Sequence, residues 1–571
     1  MRRNWILRSA NQAAVEIVGR HLSVPPLIAR LLVCRGMDAP EKAGDFLCGD
    51  LNGLADPARM ADLPRAVQLI RRAVEEKQKI WIVGDYDADG ITGTAILFRT
   101  LRRLGVEPHV HIPHRTQDGY GLRADVVRRA REAGARLLIT VDCGTTSFEE
   151  MELARSLGME TVVVDHHDLD PSRTLPASAL LNPLRPDCSY PEKELASAGV
   201  AFTLARALLE EGEAWQHLDL AAIGTIADLA PLTGENRILV KAGLHALRGS
   251  TKPGIRALLA RAGLEGRSLE TDDVAFSLAP PLNAAGRMGS AEDSFRLLVS
   301  DDPAESEKAA EALFRQNRAR AASGREAFQK ALVKISREIN FSKDRVIILE
   351  DEGWHPGVIG ILATRLANRF HRPTVIIAMT GDSCRGSARS IRSFHLVEAL
   401  HAVREHLVEF GGHPGAAGLT IKRSRIPAFR EALNQIARER IDPKALSPTV
   451  DLDGELPLSE LTEELIRGLE MLAPFGSGNP RPVFISTDAS LPARGEAPLL
   501  AKDGFSPWGI RLQIGDSTGR FFEALHPREF LEGSLNLRRI RGNVHLAYSP
   551  VHRRGADGLR IELRLKDLKL P

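Results

Sequence analysis

The sequence predicts a multidomain α/β protein in which a long helix joins two αβ domains and a small β-barrel follows. Short apolar runs rich in β-branched residues alternate with helical patterns early in the chain, which is typical of a doubly wound parallel sheet. A long charged helical pattern separates this region from a second alternating one. Strand-like runs divided by turns fill the region after residue 449, which favours a barrel.

Length and composition limit what the chain can be. At 571 residues it is too long for a single core, so several domains are expected. The hydrophobic fraction of 43% and the charged fraction of 26% are ordinary for a soluble globular protein, and we expect neither a signal peptide nor a membrane span. Five scattered cysteines without zinc-ligand spacing favour a reducing, cytoplasmic location. A net charge of +2 does not by itself indicate a nucleic-acid binder.

The strands of the first sheet are predicted directly from apolar runs. Residues 1–75 carry helical patterns and are interpreted as an N-terminal helical extension. Three β-branched runs then predict strands that are buried on both faces, at 79–83, 137–141 and 161–164. Helical patterns lie between and after them, at 91–103, 125–133 and 149–157. A further helix is predicted at 219–227.

Acidic residues and histidines form four clusters at the ends of these elements. The clusters are Asp85-Tyr86-Asp87-Ala88-Asp89-Gly90, Asp142-Cys143-Gly144, Asp165-His166-His167 and Gly224-Thr225-Ile226-Ala227-Asp228. The first three follow predicted strands, and ligands of parallel sheets collect at the carboxyl ends of the strands, so we expect these clusters to converge. Clustered anions repel one another unless a cation lies between them. The pattern therefore predicts a divalent-metal site suited to phosphate chemistry.

Each cluster alone also has a simpler interpretation. Asp-Gly is a common turn pair, and an aspartate after a strand often caps the next helix. The run that begins at Asp85 also resembles the start of an EF-hand calcium loop, but the twelfth position of that loop requires glutamate and is Ile96 here. Turns and caps are an improbable explanation of all four clusters together. Tandem histidines directly after a strand-end aspartate are the part that turns and caps explain least well.

The clusters resemble the motifs of the DHH phosphoesterase superfamily and, within it, those of the bacterial RecJ exonucleases. The resemblance continues in the same order over nearly the whole chain. The segments that carry it further are Asn283-Ala284-Ala285-Gly286-Arg287, His355-Pro356-Gly357-Val358-Ile359-Gly360, Gly386-Ser387-Ala388-Arg389-Ser390, Gly411-Gly412-His413-Pro414-Gly415-Ala416-Ala417-Gly418 and Pro474-Phe475-Gly476-Ser477-Gly478-Asn479-Pro480. It implies a DHH metal-binding domain at 76–235, a helical region with a long connecting helix at 236–342 and a DHH-associated domain at 343–440.

The resemblance also implies a metal site and catalytic residues. The implied metal ligands are Asp87, Asp89, Asp142, His166 and Asp228. Asp85 is a further candidate, because Val83 stands where small DHH phosphatases have a histidine. The implied catalytic residues are Asp87, Asp89, Asp142 and His167, with Asp142 bridging and His167 facing the substrate phosphate. The implied cofactor is one or two ions of Mn²⁺ or Mg²⁺, and the imidazole favours Mn²⁺.

A second set of residues is implied to hold the terminal 5′ phosphate. These are Arg287, Ser387, Arg389, Ser390, Gly411, Gly412 and His413. Arginine can chelate phosphate through two hydrogen bonds, and a glycine-rich loop exposes backbone N–H groups to an anion. A tight turn between a strand and a helix is the alternative explanation of the glycines. The helix predicted after His355 either binds phosphate at its N-terminus or is merely capped there.

The connecting helix and the barrel carry the remaining basic residues. A charged helical pattern over 305–338 is interrupted only by Ser323-Gly324, and a solvated linker helix is a more ordinary interpretation of it than direct DNA contact. Five runs in residues 449–571 predict an OB-fold-like nucleic-acid-binding barrel, at 482–486, 509–514, 520–525, 543–549 and 559–565.

Aromatic and basic side chains interleave in this barrel, which is how OB-folds hold single strands. The aromatic residues are Phe505, Trp508, Phe521, Phe522 and Tyr548, and the basic ones are Arg511, Arg538, Arg539, Arg541, Arg553 and Arg554. About half of the aromatic residues are expected in the core instead, among them Phe522, together with Phe484.

Together these features imply a metal-dependent 5′-to-3′ exonuclease that hydrolyses phosphodiester bonds of single-stranded DNA in recombination and repair. Single-strand-binding protein and a DNA helicase are the implied partners. Two other functions stay open. A DHH phosphoesterase for short oligonucleotides or cyclic dinucleotides usually lacks an added barrel. A non-catalytic replication scaffold on a DHH core would have lost metal ligands, whereas only Val83 departs from the pattern here.

Overall fold

A computed structural model describes residues 3–114, 121–491, 510–526, 542–555 and 558–571. The chain divides into two units, of which the first comprises 45–321 and 473–480. The second comprises the described residues of 1–44, 322–472 and 481–571. The segment interpreted as one N-terminal extension is thus divided between the units. Within the described ranges, no helix combines the length and the apolar character needed to cross a membrane.

Strands and helices alternate in two regions of the described chain, which a helical region separates and the strands of the barrel follow. The strands are β1 (Asn4–Leu7), β2 (Lys79–Gly84), β3 (His109–His111), β4 (Ala135–Val141), β5 (Glu160–Val164), β6 (Ala179–Leu181), β7 (Ile347–Asp351), β8 (Thr374–Ala378), β9 (Ser383–Arg389), β10 (Leu407–His413), β11 (Ala416–Lys422), β12 (Thr449–Leu452), β13 (Gly454–Glu455), β14 (Phe484–Leu491), β15 (Ile510–Gly515), β16 (Phe521–His526), β17 (Gly542–Gly555) and β18 (Gly558–Lys569). The helices are α1 (Gln12–Leu22), α2 (Pro26–Val33), α3 (Pro40–Cys48), α4 (Leu63–Glu75), α5 (Ala88–Arg103), α6 (Ala124–Glu132), α7 (Phe148–Ser156), α8 (Ser197–Leu208), α9 (Leu218–Ala227), α10 (Gly234–Arg248), α11 (Pro253–Arg261), α12 (Thr271–Asp273), α13 (Ala279–Met288), α14 (Glu292–Val299), α15 (Pro303–Glu338), α16 (Pro356–Phe370), α17 (Leu396–Ala402), α18 (Ile426–Arg440) and α19 (Glu463–Glu470).

The first unit contains a parallel five-stranded sheet in the order β3-β2-β4-β5-β6. Successive side chains of β2 enter different cores, because side chains alternate across a strand. Ile80 and Ile82 belong to one apolar cluster, and Trp81 and Val83 belong to another. The first cluster includes residues of α4, α5, α8 and α9, and the second includes residues of α6 and α7. The predicted doubly wound sheet is therefore confirmed.

The register of this sheet aligns the loops that carry the acidic clusters. Gly84 pairs with Val141, which pairs with Val164. The backbone ladder continues one residue further, since Asp85 N–H donates to the Val141 carbonyl and Asp142 N–H donates to the Val164 carbonyl. Three strands therefore end level with one another, and the residues that follow them meet at one edge.

Helices α5, α8 and α9 pack together beneath that edge. The contact is close at Gly224 of α9, where a Cβ atom would lie 2.4 Å from Cβ of Ala198 and 2.6 Å from Oδ1 of Asp89. Only glycine permits this approach of two helices to a carboxylate. The glycine in the fourth cluster is thus explained by packing.

The second unit contains a mixed sheet in the order β10-β11-β9-β8-β7. Strands β7 and β8 are parallel, whereas β8, β9, β11 and β10 pair in an antiparallel manner. Helix α16 packs on β8 and β9. This is the second αβ region that the sequence predicts.

The long helix α15 runs without interruption through residue 324. The predicted break at Ser323-Gly324 is wrong, because a single glycine costs a helix only about 1 kcal/mol relative to alanine and many intact turns flank it. In the sequence, this helix crosses the boundary between the two units, which lies between Ala321 and Ala322.

The predicted five-stranded barrel is confirmed. Strands follow the order β14-β15-β16-β18-β17, and pairing between β17 and β14 closes the sheet. Phe484 and Phe522 lie in its interior, as expected. Tyr548 is also buried and donates from its hydroxyl to the Leu456 carbonyl at 2.8 Å, so it is one of the aromatic residues that lie in the core.

Phe521 of the barrel remains a surface aromatic, since its side chain is exposed. Arg511 and Arg553 instead form ion pairs with Glu523, at 3.0 and 3.5 Å. Several of the predicted barrel residues lie outside the described residues, namely Phe505, Trp508, Arg538, Arg539 and Arg541.

Residues near the start of the chain contribute to the same unit as the barrel. Strand β1 pairs in parallel with β12, which corrects the expectation that this region is helical throughout. The indole of Trp5 donates to Asp567 at 2.7 Å, and the Lys569 ammonium lies 4.3 Å from the centre of the Trp5 ring. A strand forms here because β12 offers an edge and Trp5 gains partners in β18.

Candidate metal centre and phosphate-binding residues

The strand-end clusters of the first unit converge on a single histidine. The His166 ring lies 3.3 Å from Oδ1 of Asp142 and 4.0 Å from Oδ2 of Asp89, both measured from Nε2. Its Nδ1 lies 3.8 Å from Oδ2 of Asp228. Loops after β2, β4 and β5 and the end of α9 therefore meet here, as the sequence predicts.

The candidate ligands form overlapping groups. One group contains Asp89, His166 and Asp228, and another contains Asp85, Asp87 and Asp142, with the ligand atoms of each group within 4.8 Å of one another. Asp142 also groups with His166 and His167. Asp142 thus belongs both to a group that contains histidines and to a group made only of carboxylates. The added candidate Asp85 lies with Asp87.

The N-terminus of α8 holds two of these carboxylates in place. Both oxygens of Asp89 accept backbone hydrogen bonds, from Ser197 N–H at 2.7 Å and from Ala198 N–H at 2.9 Å. The Ser197 hydroxyl donates to Oδ1 of Asp142 at 2.9 Å. Sequence analysis missed Ser197, which lies outside every motif and begins a helix that was not predicted.

Asp165 orients the histidine that follows the candidate ligand His166. Nδ1 of His167 lies 2.7 Å from Oδ1 of Asp165, and Thr145 N–H donates to the other oxygen of Asp165 at 3.0 Å. Although burial would raise it, the hydrogen bond and the charge of His167 lower the pKa of Asp165 to about 2. Asp165 is therefore ionised and fixes the His167 ring. The sequence placed Asp165 in a motif but gave it no role.

Burial and mutual repulsion make this cluster a poor place for unneutralised charge. Burial, together with the nearby Asp228 carboxylate, raises the pKa of Asp89 to about 7. Burial and the carboxylates of Asp87 and Asp89 raise the pKa of Asp142 well above its ordinary value. These shifts show that the protein alone does not stabilise the ionised carboxylates, whereas a divalent cation between them would.

The segment that carries Arg287 lies against the first acidic loop. A Cβ atom on Gly286 would lie 2.8 Å from the Tyr86 carbonyl oxygen, so glycine allows the two backbones to touch. Asn283 accepts a hydrogen bond from Ala88 N–H at 2.8 Å. Arg287, half-buried, is thereby held next to the loop of Asp85 to Asp89.

The other predicted phosphate-binding residues lie in the second unit. Ser387 and Arg389 are on β9, and Gly360 of α16 lies against both side chains. Ser387 pairs with Gly418 of β11, which pairs with Gly411 of β10. A row of small residues thus crosses three neighbouring strands beside Arg389, a surface that an anion can approach closely.

Two details of the second unit differ from the sequence interpretation, and a third matches one of its alternatives. The segment from Gly411 to His413 forms the end of β10 and continues through a hairpin into β11, so it is not a turn between a strand and a helix. Ser390 donates from its hydroxyl to the Phe394 carbonyl at 2.6 Å. Nδ1 of His355 accepts from Gly357 N–H at 3.0 Å, which caps α16.

Family models match three parts of the chain. The model of the DHH family, N-terminal domain, matches residues 79–225, that of the DHHA1 domain matches 343–439 and that of the RecJ OB domain matches 452–496. The single-stranded-DNA-specific exonuclease RecJ of Escherichia coli (strain K12) is 36% identical over 486 residues, which cover 81% of this chain and 83% of that protein. The chain belongs to the RecJ family. The resemblance on which the sequence prediction depended is confirmed.

Other RecJ proteins match over similar lengths. RecJ of Bacillus subtilis (strain 168) is 38% identical over 490 residues, which cover 85% of this chain and 62% of that protein, so the chain spans less than two thirds of that relative. A crystal structure of RecJ from Thermus thermophilus in complex with Mn²⁺ has a TM-score of 0.84 and 33% identity, and covers 100% of this chain and 80% of that one. RecJ of the same organism has also been solved in complex with Mg²⁺.

Proposed function

We propose that this RecJ-family chain is a metal-dependent exonuclease that removes nucleotides from the 5′ end of single-stranded DNA, in recombination and repair. The observation that carries the proposal is the overlap of candidate ligand groups at Asp142, at the edge of the parallel sheet. Relatives over most of the chain are named single-stranded-DNA-specific exonucleases, which supports the substrate and the reaction.

The donor set fits Mn²⁺ or Mg²⁺. Carboxylate oxygens and one or two imidazole nitrogens are the ligands that suit these ions, and the imidazole favours Mn²⁺. The residues that would hold one or two ions are Asp85, Asp87, Asp89, Asp142, His166 and Asp228. Bound there, the metal would activate a water molecule and neutralise charge on the phosphate.

The protein contributes positioning to this chemistry. Ser197 and the N-terminus of α8 hold Asp142 and Asp89 at fixed distances. Although burial would lower it, the hydrogen bond from His167 to Asp165 and the charge of that carboxylate raise the pKa of His167. We therefore assign to Nε2–H of the protonated ring the donation of a hydrogen bond to the substrate phosphate. Asp87, Asp89, Asp142 and His167 are therefore the proposed catalytic residues.

The proposed phosphate-binding residues select the end of the strand. Arg287, Ser387 and Arg389 would bind the terminal 5′ phosphate through charged and hydroxyl donors, and the segment from Gly411 to His413 would add backbone donors. The barrel would hold the strand through stacking on exposed aromatic residues such as Phe521, whose side chain is 58% exposed.

Family membership supports the remaining assignments. We propose single-strand-binding protein and a DNA helicase as partners, a cytoplasmic location, and domain boundaries at 1–75, 76–235, 236–342, 343–440 and 449–571. Neither alternative function gains support from the site. A decayed scaffold has no need of the assembled ligands, and an enzyme for short oligonucleotides has no need of the barrel.

Incubation of the purified chain with single strands labelled at the 5′ or the 3′ end tests the proposal. With Mn²⁺, the 5′ label should appear at once as a mononucleotide, while the 3′-labelled strand shortens step by step. EDTA should stop both. Release of a 3′ label as the first product, or equal hydrolysis in EDTA, would contradict the proposed polarity or metal dependence.

A further inference from the structure

Helix α9 ends beside the candidate metal centre in a conformation that suits glycine but is occupied by leucine. Leu229 has a φ of +65°, in the left-handed region. Its N–H donates to the Ile226 carbonyl and the next N–H, of Ala230, donates to the Thr225 carbonyl, both at 3.2 Å. This pair of bonds is a common way to satisfy the last carbonyls of a helix, with glycine preferred at the left-handed position.

The same chain uses glycine for this task elsewhere. Within the described ranges, left-handed glycines make the same pair of bonds at the ends of other helices, namely Gly36, Gly105, Gly158 and Gly263. Lys77 also occupies this position, at the end of α4, with a φ of +52°. Glycine adopts this conformation without steric cost, whereas a Cβ atom is disfavoured there. Leucine at position 229 is therefore not explained by the backbone.

Packing does not explain this leucine either. The Leu229 side chain is 69% exposed, whereas the apolar side chains around it are buried: Ile226 is 5%, Ala230 is 6% and Leu232 is 2% exposed. Leu229 is in a backbone conformation that disfavours a side chain, and its side chain does not pack in the core. It therefore contributes little to the stability of the fold. A role in contact with a ligand would account for its presence.

Leu229 lies next to a candidate metal ligand. It directly follows Asp228, whose carboxylate lies 3.8 Å from His166, so the two Cα atoms are about 3.8 Å apart. In a single strand bound with a phosphate at this centre, the broad apolar surfaces are the faces of the bases. We propose that Leu229 packs against a base of the first nucleotides of the bound strand. This inference rests on the proposed function and adds a contact that depends on the base.

Leu229→Gly separates this role from folding, and Lys77→Gly is the matched control. Lys77 is exposed and lies before β2, at the opposite edge of the same sheet. Both variants place glycine in the same helix-ending conformation, so both should melt within about 2 °C of the wild type, because relief of strain offsets the added freedom of the unfolded chain. Initial rates of release of the first nucleotide are then measured on an ordinary 5′-phosphorylated strand and on one with abasic residues at its first two positions.

On the ordinary strand, Leu229→Gly should raise KM roughly threefold to tenfold, the effect of losing one apolar contact, with kcat within about twofold. Lys77→Gly should match the wild type. On the abasic strand, Leu229→Gly and the wild type should have KM values within about twofold of each other, because the base is absent.

Equal KM values on the ordinary strand would overturn the assignment, as would an equal loss on both strands. A marked fall in Tm for Leu229→Gly alone would also overturn it and make the side chain structural. If the wild type releases no nucleotide from the ordinary strand, the proposed function itself fails; if it does, only the role of Leu229 is in question.

Discussion

The backbone N–H of Ser197 donates a 2.7 Å hydrogen bond to Oδ2 of Asp89. The hydroxyl of the same serine donates to Asp142, so one residue links carboxylates from two separate strand-end loops. The positive end of the α8 dipole also points at these acids, which offsets part of the cost of burying their charge. The fold therefore builds the candidate metal centre around a helix N-terminus that carries no acidic residue of its own.

Removal of the Ser197 hydroxyl should loosen Asp142 without unfolding the protein. Ser197→Ala keeps the backbone bond to Asp89 and should lower Mn²⁺-dependent hydrolysis roughly tenfold to a hundredfold, the usual effect of losing a partner of a metal ligand. Thr203→Val is the control, since Thr203 lies in the same helix and its hydroxyl bonds to the Gly199 carbonyl. Rates and melting curves of both variants check this. A similar loss of activity in both would assign the effect to helix stability.

Replacement of Asp142 should separate catalysis from stability. Burial and neighbouring carboxylates raise its pKa, so ionised Asp142 destabilises the metal-free fold near neutral pH. Asp142→Asn should therefore abolish hydrolysis while the Tm in EDTA stays equal or rises. Mn²⁺ should raise the Tm of the wild type more than that of the variant. Near-normal activity of Asp142→Asn with added Mn²⁺ would remove Asp142 from the catalytic set.

Arg389 should determine the preference for a phosphorylated 5′ end. Loss of one charged phosphate contact costs about 1.5–3 kcal/mol, so Arg389→Ala should reduce the rate advantage of a 5′-phosphate strand over a 5′-hydroxyl strand by roughly tenfold or more. Arg389→Lys keeps the charge but not the paired donors. Its rate advantage for the 5′-phosphate strand should therefore lie between those of the wild type and Arg389→Ala. Competition between the two strands measures this ratio. An equal loss on both strands would make Arg389 an ordinary backbone contact or a structural residue.

His217 should make the first unit sensitive to acid. Its side chain is 1% exposed, and burial together with the nearby charges of Lys252 and Arg99 lowers its pKa to about 3. The pKa of this histidine in the unfolded chain is about 6.5. Below that pH the unfolded chain binds a proton that the folded chain does not bind, so the free energy of unfolding decreases as the pH is lowered. At pH 5 this difference in proton binding lowers the free energy of unfolding by about 2 kcal/mol. The wild type should thus lose more Tm between pH 7 and pH 5 than His217→Gln; parallel losses would contradict the prediction.

The sequence predicted those parts of the site that depend on strand patterns along the chain. Buried runs such as 79–83 specify parallel strands, and the register then brings Asp85 and Asp142 to one edge. Ser197 was not predictable, because it lies 55 residues from Asp142 and only the packing of α8 connects them. The burial of Tyr548 was not predictable either, because an aromatic residue in a strand gives the same sequence pattern whether its side chain faces the interior or the solvent. Leu229 was overlooked because a left-handed φ has no signal in sequence without glycine.

The central claim is that this metal centre removes nucleotides from the 5′ ends of single strands. Digestion of three duplexes in Mn²⁺, with a 5′ tail, with a 3′ tail and with blunt ends, tests it most directly when products are read at nucleotide resolution. The 5′ tail should be shortened to the region of the junction, while the 3′ tail and the blunt ends persist. Trimming of the 3′ tail, or rapid loss of nucleotides from blunt 5′ ends that do not fray, would contradict the claim.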